Sequence, residues 1–249
     1  MFFNSPLEQF ELISLISLNF HNFYFSITNS TLVVVMILAL MLLILFFFSY
    51  VSLMVVKWHF LLINNLFVFS RMLIVENVGV KYVKYISLIF FLFLFLFLSN
   101  ILGMIPYSFT VTSQFIFTFS IALIFFFGVT FIGFVKHRLH FFGLFLPDGA
   151  PLAIMPFIVT IEIISYIARV FSLSIRLFAN MMAGHTLLNI LAWFCWSMFL
   201  ALGIWLNIGI FPLIIIFLVT GLEMAIAFLQ AYVFTVLVCI YLNDVIHLH

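Results

Sequence analysis

The feature that most limits what this chain can become is a run of twenty residues, Thr31 to Tyr50, without a single charged side chain. A hydrocarbon core of about 30 Å is crossed by about 20 helical residues, and four more apolar runs at least that long follow. Charged residues make up 6% of the chain against 68% apolar, whereas a soluble domain is about a quarter charged. The chain is therefore an integral membrane protein. A net charge of +1, with no block of like charge, excludes a basic surface for nucleic acid.

Span length divides the chain. Residues 1–30 precede the membrane, with Asn29 and Ser30 placed as helix caps, and residues 31–50 form span one. Over 51–84 the polar residues Lys57, His59, Asn64, Asn65, Arg71, Glu76, Asn77, Lys81 and Lys84 recur too often for a span, and helical spacing gathers much of the apolar remainder on one side. This stretch reads as an interfacial helix. Tyr85 to Ile105 is span two, stopped by Pro106. Phe115 to Val135 returns, so 85–135 is a transmembrane hairpin. Pro147, Gly149, Pro151 and Pro156 punctuate the next loop. A continuous helix from Phe157 to Leu206 would be about 75 Å long, so it must tilt strongly or break, with Gly203 as the expected place. Ile210 to Leu242 is again too long for an upright span. The expected fold is an all-α polytopic membrane protein forming a single transmembrane domain. It has five membrane-crossing segments and one interfacial amphipathic helix, and 156–243 is a long, tilted, antiparallel hairpin.

Lys57, Arg71, Lys81 and Lys84 lie between spans one and two, and Lys136 and Arg138 between three and four. The alternate loops carry no Lys or Arg. The positive-inside rule then puts the N-terminus outside and the C-terminus inside. The stretch MFFNSPLEQFELISL holds two acids and no Arg, unlike a secretory signal or a transit peptide. The excess of Phe, Ile and Leu suits an AT-rich genome, which makes organellar synthesis a working hypothesis; a gene located in a nuclear assembly would reject it.

An ionisable group within the bilayer is a functional-site hypothesis by default, and Ser172 to Asn189, SLSIRLFANMMAGHTLLN, holds the central one, Arg176. Glu162, Arg169 and Arg176 are spaced by seven and stay within about 40° on one helical face. His185 is about 13.5 Å beyond Arg176 and roughly half a turn around. Glu223 and Gln230 again differ by seven. Setting Arg176 opposite Gln230 in an antiparallel pair places Glu223 about 10.5 Å and His185 about 13.5 Å outward, so the two can meet. It places Glu162 and Asp244 each about 21 Å inward. The result is an outer polar pair, a central arginine and an inner acidic cluster. An unbroken polar file would leak protons, and a fixed cation opposes their passage. Arginine does not deprotonate, while an imidazole with an ordinary pKa of about 6.5 exchanges protons readily. The arrangement suits a gated proton relay.

Simpler readings stand beside this one. A membrane arginine can pair with an acid for assembly alone; Arg169 can neutralise Glu162 or Asp148; His185 can be a hydrogen-bonded packing residue. An independent ion channel or secondary transporter also places charge at mid-membrane, but such folds often carry repeats, and none is seen. A haem subunit needs paired inward histidines, and only His185 is well inside a run. Cys195 and Cys239 show no metal-ligand spacing, so neither a metal nor a cofactor is expected.

SLSIRLFANMMAGH and GLEMAIAFLQAYVFTVLVCIYLND, with SPLEQFE near the N-terminus, NILGMIPYSFTVTSQF at 100–115 and PFIVTIEIISY at 156–166, resemble subunit a of F-type ATP synthases. The likeness is strongest to the mitochondrial form of plants and many protists, and it covers nearly the whole chain. It implies a proton-translocating stator subunit, not catalytic by itself, within the rotary ATPase of the mitochondrial inner membrane, N-terminus in the intermembrane space and C-terminus in the matrix. The implied partners are the c-subunit ring, the peripheral stalk and other membrane subunits, in a dimeric complex. By the resemblance, Arg176 is the essential barrier between two half-channels and the partner of the ring carboxylate, with Asn180 and Gln230 flanking it. His185 and Glu223 then belong to the outer half-channel and Glu162 to the inner one. Bacterial members have an acid just after the asparagine of the second span. Here Gly103 follows Asn100, so no acidic role carries over.

Overall fold

The computed structural model describes residues 7–20, 23–51, 58–105, 108–138, 141, 143, 154–201 and 206–246. Six α-helices carry the fold: α1 Asn29–Val51, α2 Trp58–Asn77, α3 Ile86–Gly103, α4 Phe115–His137, α5 Met155–Ala201 and α6 Leu206–Ile246. Five of the described helices are long and apolar enough to cross a membrane. The exception is α2, as its polar interruptions imply. It buries Ser70, Leu73 and Ile74 while exposing Asn65, Arg71 and Glu76, an amphipathic arrangement at helical spacing. The long final helices are present, at about 70 Å for α5 and about 60 Å for α6 by their residue counts. The expected break at Gly203 and the loop holding Asp148 lie outside the described residues.

A feature that run-length reasoning does not foresee is a two-stranded antiparallel hairpin, β1 Ser14–Phe20 with β2 Phe23–Thr28. Its sequence mixes β-branched, aromatic and small polar residues, which suits strands. The register advances two residues on β1, Ser14 to Ile16, against one on β2, Thr28 to Ile27, so Leu15 is a bulge. The hairpin leads directly into α1. Thr28 and Thr31 bond reciprocally at the helix start, Thr28 N donating to Thr31 Oγ1 at 3.0 Å and Thr31 Oγ1 to Thr28 O at 2.7 Å. The first of these bonds satisfies a backbone N–H that a helix start leaves open.

The chain forms two compact units: Met1–Leu43, Phe95–Gln114 and Leu177–Ala231 in one, and Ile44–Leu94, Phe115–Arg176 and Tyr232–His249 in the other. In the first, Phe97 packs edge-on to Phe228, and Asn100 Nδ2 donates to Ala227 O at 3.1 Å. In the second, Phe67 meets Phe90 and Phe69 meets Phe93 at 5.6 Å between centroids. The phenylalanine run of α3 is thus largely core: Phe90, Leu92, Phe93, Leu94 and Leu96 are buried. At the end of α4, Lys136 Nζ donates to Ile246 O at 3.0 Å, and His137 Nε2 is also 3.0 Å from that oxygen. Basic groups at a helix C-terminus satisfy its open carbonyls and complement its dipole. Arg138, at φ 52, ends α4 in a left-handed residue.

Candidate functional site

Helix α5 separates its polar residues by face. Tyr166, Val170, Leu173, Ser174, Leu177 and Met181 are buried at three- and four-residue spacing. Ser172, Arg176, Ala179, Asn180 and Ala183 are exposed. Arg176 makes no ion pair with any described residue. Three of its neighbours on this face, Ser172, Ala179 and Ala183, are small.

Two turns earlier the same helix presents an arginine with the opposite surroundings. Arg169 Nη1 is 3.4 Å from Asp244 Oδ2, and its Nη2 is 3.8 Å from Glu162 Oε1. Its guanidinium carbon is 5.5 Å from the Tyr241 ring centroid and 6.0 Å from that of Tyr166. Glu162 thus stands where its spacing of seven places it, joined to Asp244 through one cation. Arg169 is the member of this cluster whose role the sequence left between function and packing.

Glu223 is different again. It is 6% exposed, and neither carboxylate oxygen has a hydrogen-bond partner among the described residues. Its carboxylate lies against the backbone of Gly184: a Cβ there would sit 2.7 Å from Glu223 Oε1 and 3.0 Å from Cδ. The next residue is His185, whose buried Nε2 also lacks a partner. Glu223 thus reaches the turn of α5 that carries His185, and no hydrogen bond joins the two side chains among the described residues. In the same compact unit Asn100 Oδ1, Thr110 Oγ1 and Thr112 Oγ1 are buried without partners. Buried polar atoms of this kind are uncommon, and all of those found here fall in one unit.

Of the other expected residues, Asn180 is exposed and Gln230 half-buried. A Cβ at Gly103 would lie 2.7 Å from Thr110 Cγ2, so a side chain there would require Thr110, in the following loop, to shift. Sequence reasoning missed Gly184 and the two threonines. Gly184 had one visible signal, a glycine inside an apolar helix, which lowers helix propensity and lets a neighbour approach the backbone closely. The threonines had none, since their burial depends on how the loop folds back.

A multi-pass helical membrane protein with unpartnered ionisable groups buried in its last two helices is, as a class, an ion-translocating membrane subunit. The family model described as ATP synthase A chain matches residues 30–243. A relative named ATP synthase subunit a from Marchantia polymorpha is 48% identical over 263 residues, covering 98% of this chain and 99% of its own. Its namesake from Chondrus crispus is 46% identical over 245 residues, with 98% and 97% covered. The Acanthamoeba castellanii relative of the same name is 43% identical over 248 residues, with 98% of each chain covered. The chain belongs to the ATP synthase A chain family. It is the proton-translocating stator subunit of the membrane sector, Fo.

Proposed function

We propose that this chain provides two proton half-paths separated by Arg176 and couples proton flow to rotation of a c-subunit ring. The observation that carries the reading is the contrast between two arginines on one helix. Arg169 is held by two carboxylates, whereas Arg176 is exposed with no ion pair among the described residues. A membrane cation with no counter-ion among the described residues suits one supplied by another chain. A ring carboxylate passing Arg176 fits: it is attracted when ionised and released when protonated, and the fixed charge keeps the two paths from joining.

On this reading His185 and Glu223 relay protons in the outer path, and a bridging water or a rotamer change carries the proton across their unbonded gap. Glu162 serves the inner path beside Arg169 and Asp244. Asn180 and Gln230 flank the central charge and bond to the ring carboxylate or to water. The complex sits in the mitochondrial inner membrane with the N-terminus in the intermembrane space. The peripheral stalk, other membrane subunits and a second complex complete the assembly. Identity of 43–48% to relatives named ATP synthase subunit a supports membership of such a complex.

The test is Arg176→Ala in the assembled complex. Proton-driven ATP synthesis should vanish while the complex assembles normally on native gels. Synthesis that still follows the proton gradient in this variant would sink the mechanism. An independent channel is the competing reading; robust ion conduction by the purified chain alone in vesicles would favour it.

A further inference from the structure

The N-terminal turn Glu8–Phe10 has no part in that scheme, yet its last residue touches the relay. The rings of Phe10 and His185 stand edge to face, with centroids 6.3 Å apart and planes at 73°. This lies within the range of about 4.5–7 Å that aromatic pairs prefer. The turn is held from two sides. Gln114, at the head of α4, donates from Nε2 to Phe10 O at 2.7 Å. Beyond the turn, Asn29 donates from Nδ2 to Glu11 O at 3.0 Å and from its backbone N to Ile13 O at 3.1 Å. The backbone carrying Phe10 is therefore fixed by bonds to groups 104 and 18 residues away from their partners. His185 itself has no hydrogen bond at its buried Nε2, so no described donor or acceptor orients the imidazole at that atom.

We infer that Phe10 is a positioning residue for the outer proton path: its ring sets the plane of the His185 imidazole relative to the Glu223 carboxylate. This rests on the reading of His185 and Glu223 as relay partners. Proton transfer depends steeply on alignment, and a ring with no bond at Nε2 is aligned by what packs on it. The latch from Gln114 gives Phe10 the fixed backbone that such a role requires. Glu8 and Glu11 flank it on exposed positions and take no part in the contact.

The test uses membrane vesicles containing the complete ATP synthase, with ATP-driven proton pumping normalised to assembled complex, in light and heavy water. Phe10→Leu keeps apolar bulk and removes the ring; it should slow pumping about fivefold, the size of an aromatic-pair interaction, and raise the solvent isotope effect above the unsubstituted value. Phe10→Tyr should restore both. Gln114→Met, which releases the latch, should produce a smaller change in the same direction and decides the matter if Phe10→Leu does not assemble. Pumping at the unsubstituted rate, or slowed pumping with an unchanged isotope effect, overturns the inference, since loss of packing alone does not make proton transfer limiting. A separate arm, His185→Ala, isolates the reading beneath it: unimpaired pumping there removes the relay itself.

Discussion

Arg169 and Glu223 are both ionisable groups on the two long helices, and their surroundings are opposites. Arg169 has an acid on either side at 3.4 and 3.8 Å and two tyrosine rings beside it, and its side chain is 31% exposed. Glu223 is buried against a glycine backbone with no donor at either oxygen. The first is a partly exposed cation held between two carboxylates, and such pairs add little stability individually. The second is a carboxyl whose burial without partners is unfavourable to folding. A fold retains such a group where chemistry needs it. The difference separates a cation paired on its own chain from a buried carboxyl with no partner among the described residues, although both look alike as polar letters in apolar runs.

Several substitutions break or sharpen this contrast. The largest effect is expected for Glu223→Leu: ATP-driven pumping should fall to background while assembly is kept or improved, because an apolar side chain replaces an unsatisfied one. Native gels and vesicle pumping read the two halves separately; a loss of assembly equal to the loss of pumping would make Glu223 structural. Exchanging His185 and Glu223 should be milder than losing either, because the pair survives. An exchange worse than both single losses means that they do not work together.

Gly184→Ala adds a Cβ 2.7 Å from Glu223 Oε1, so the carboxylate must move. Pumping should drop several-fold, with α5 itself unharmed since alanine is a better helix former than glycine. A variant that pumps normally would show that the carboxylate position is not critical. The smallest effect is expected for Arg169→Gln, a loss of about 1 kcal/mol or less for partly exposed pairs. It should appear as modestly lower thermal stability of the complex, with pumping retained in part. If Arg169→Gln abolishes pumping as fully as Glu223→Leu, the contrast between the two sites collapses.

The parts of the site legible in the sequence are those governed by local geometry. The spacing of seven from Glu162 to Arg169 to Arg176 survives folding unchanged because an α-helix fixes the angle per residue. The approach of Glu223 to Gly184, the residue before His185, was within reach because two long antiparallel helices share one depth scale. The partners of Arg169 were legible in part: Glu162, one of the two acids considered, lies 3.8 Å away, while Asp244, 75 residues away and not considered for it, is nearer at 3.4 Å. The buried phenylalanines of α3 follow the same rule. Composition marks them as apolar, but only the neighbours decide which rings face inward.

By itself, then, the sequence determined a polytopic helical membrane protein, the length of its helices, and the positions of Arg176, His185 and Glu223 along them. These follow from hydrocarbon thickness and helix rise, which act over one or two turns of chain. The tertiary structure alone decided that residues 14–28 pair as a hairpin, that Thr110 takes the space beside Gly103, and that Phe10 lies on His185. Each of these needs two stretches distant in sequence to meet. Such a meeting is settled by packing and by where backbone polar groups find partners, and it leaves no periodic trace in either stretch.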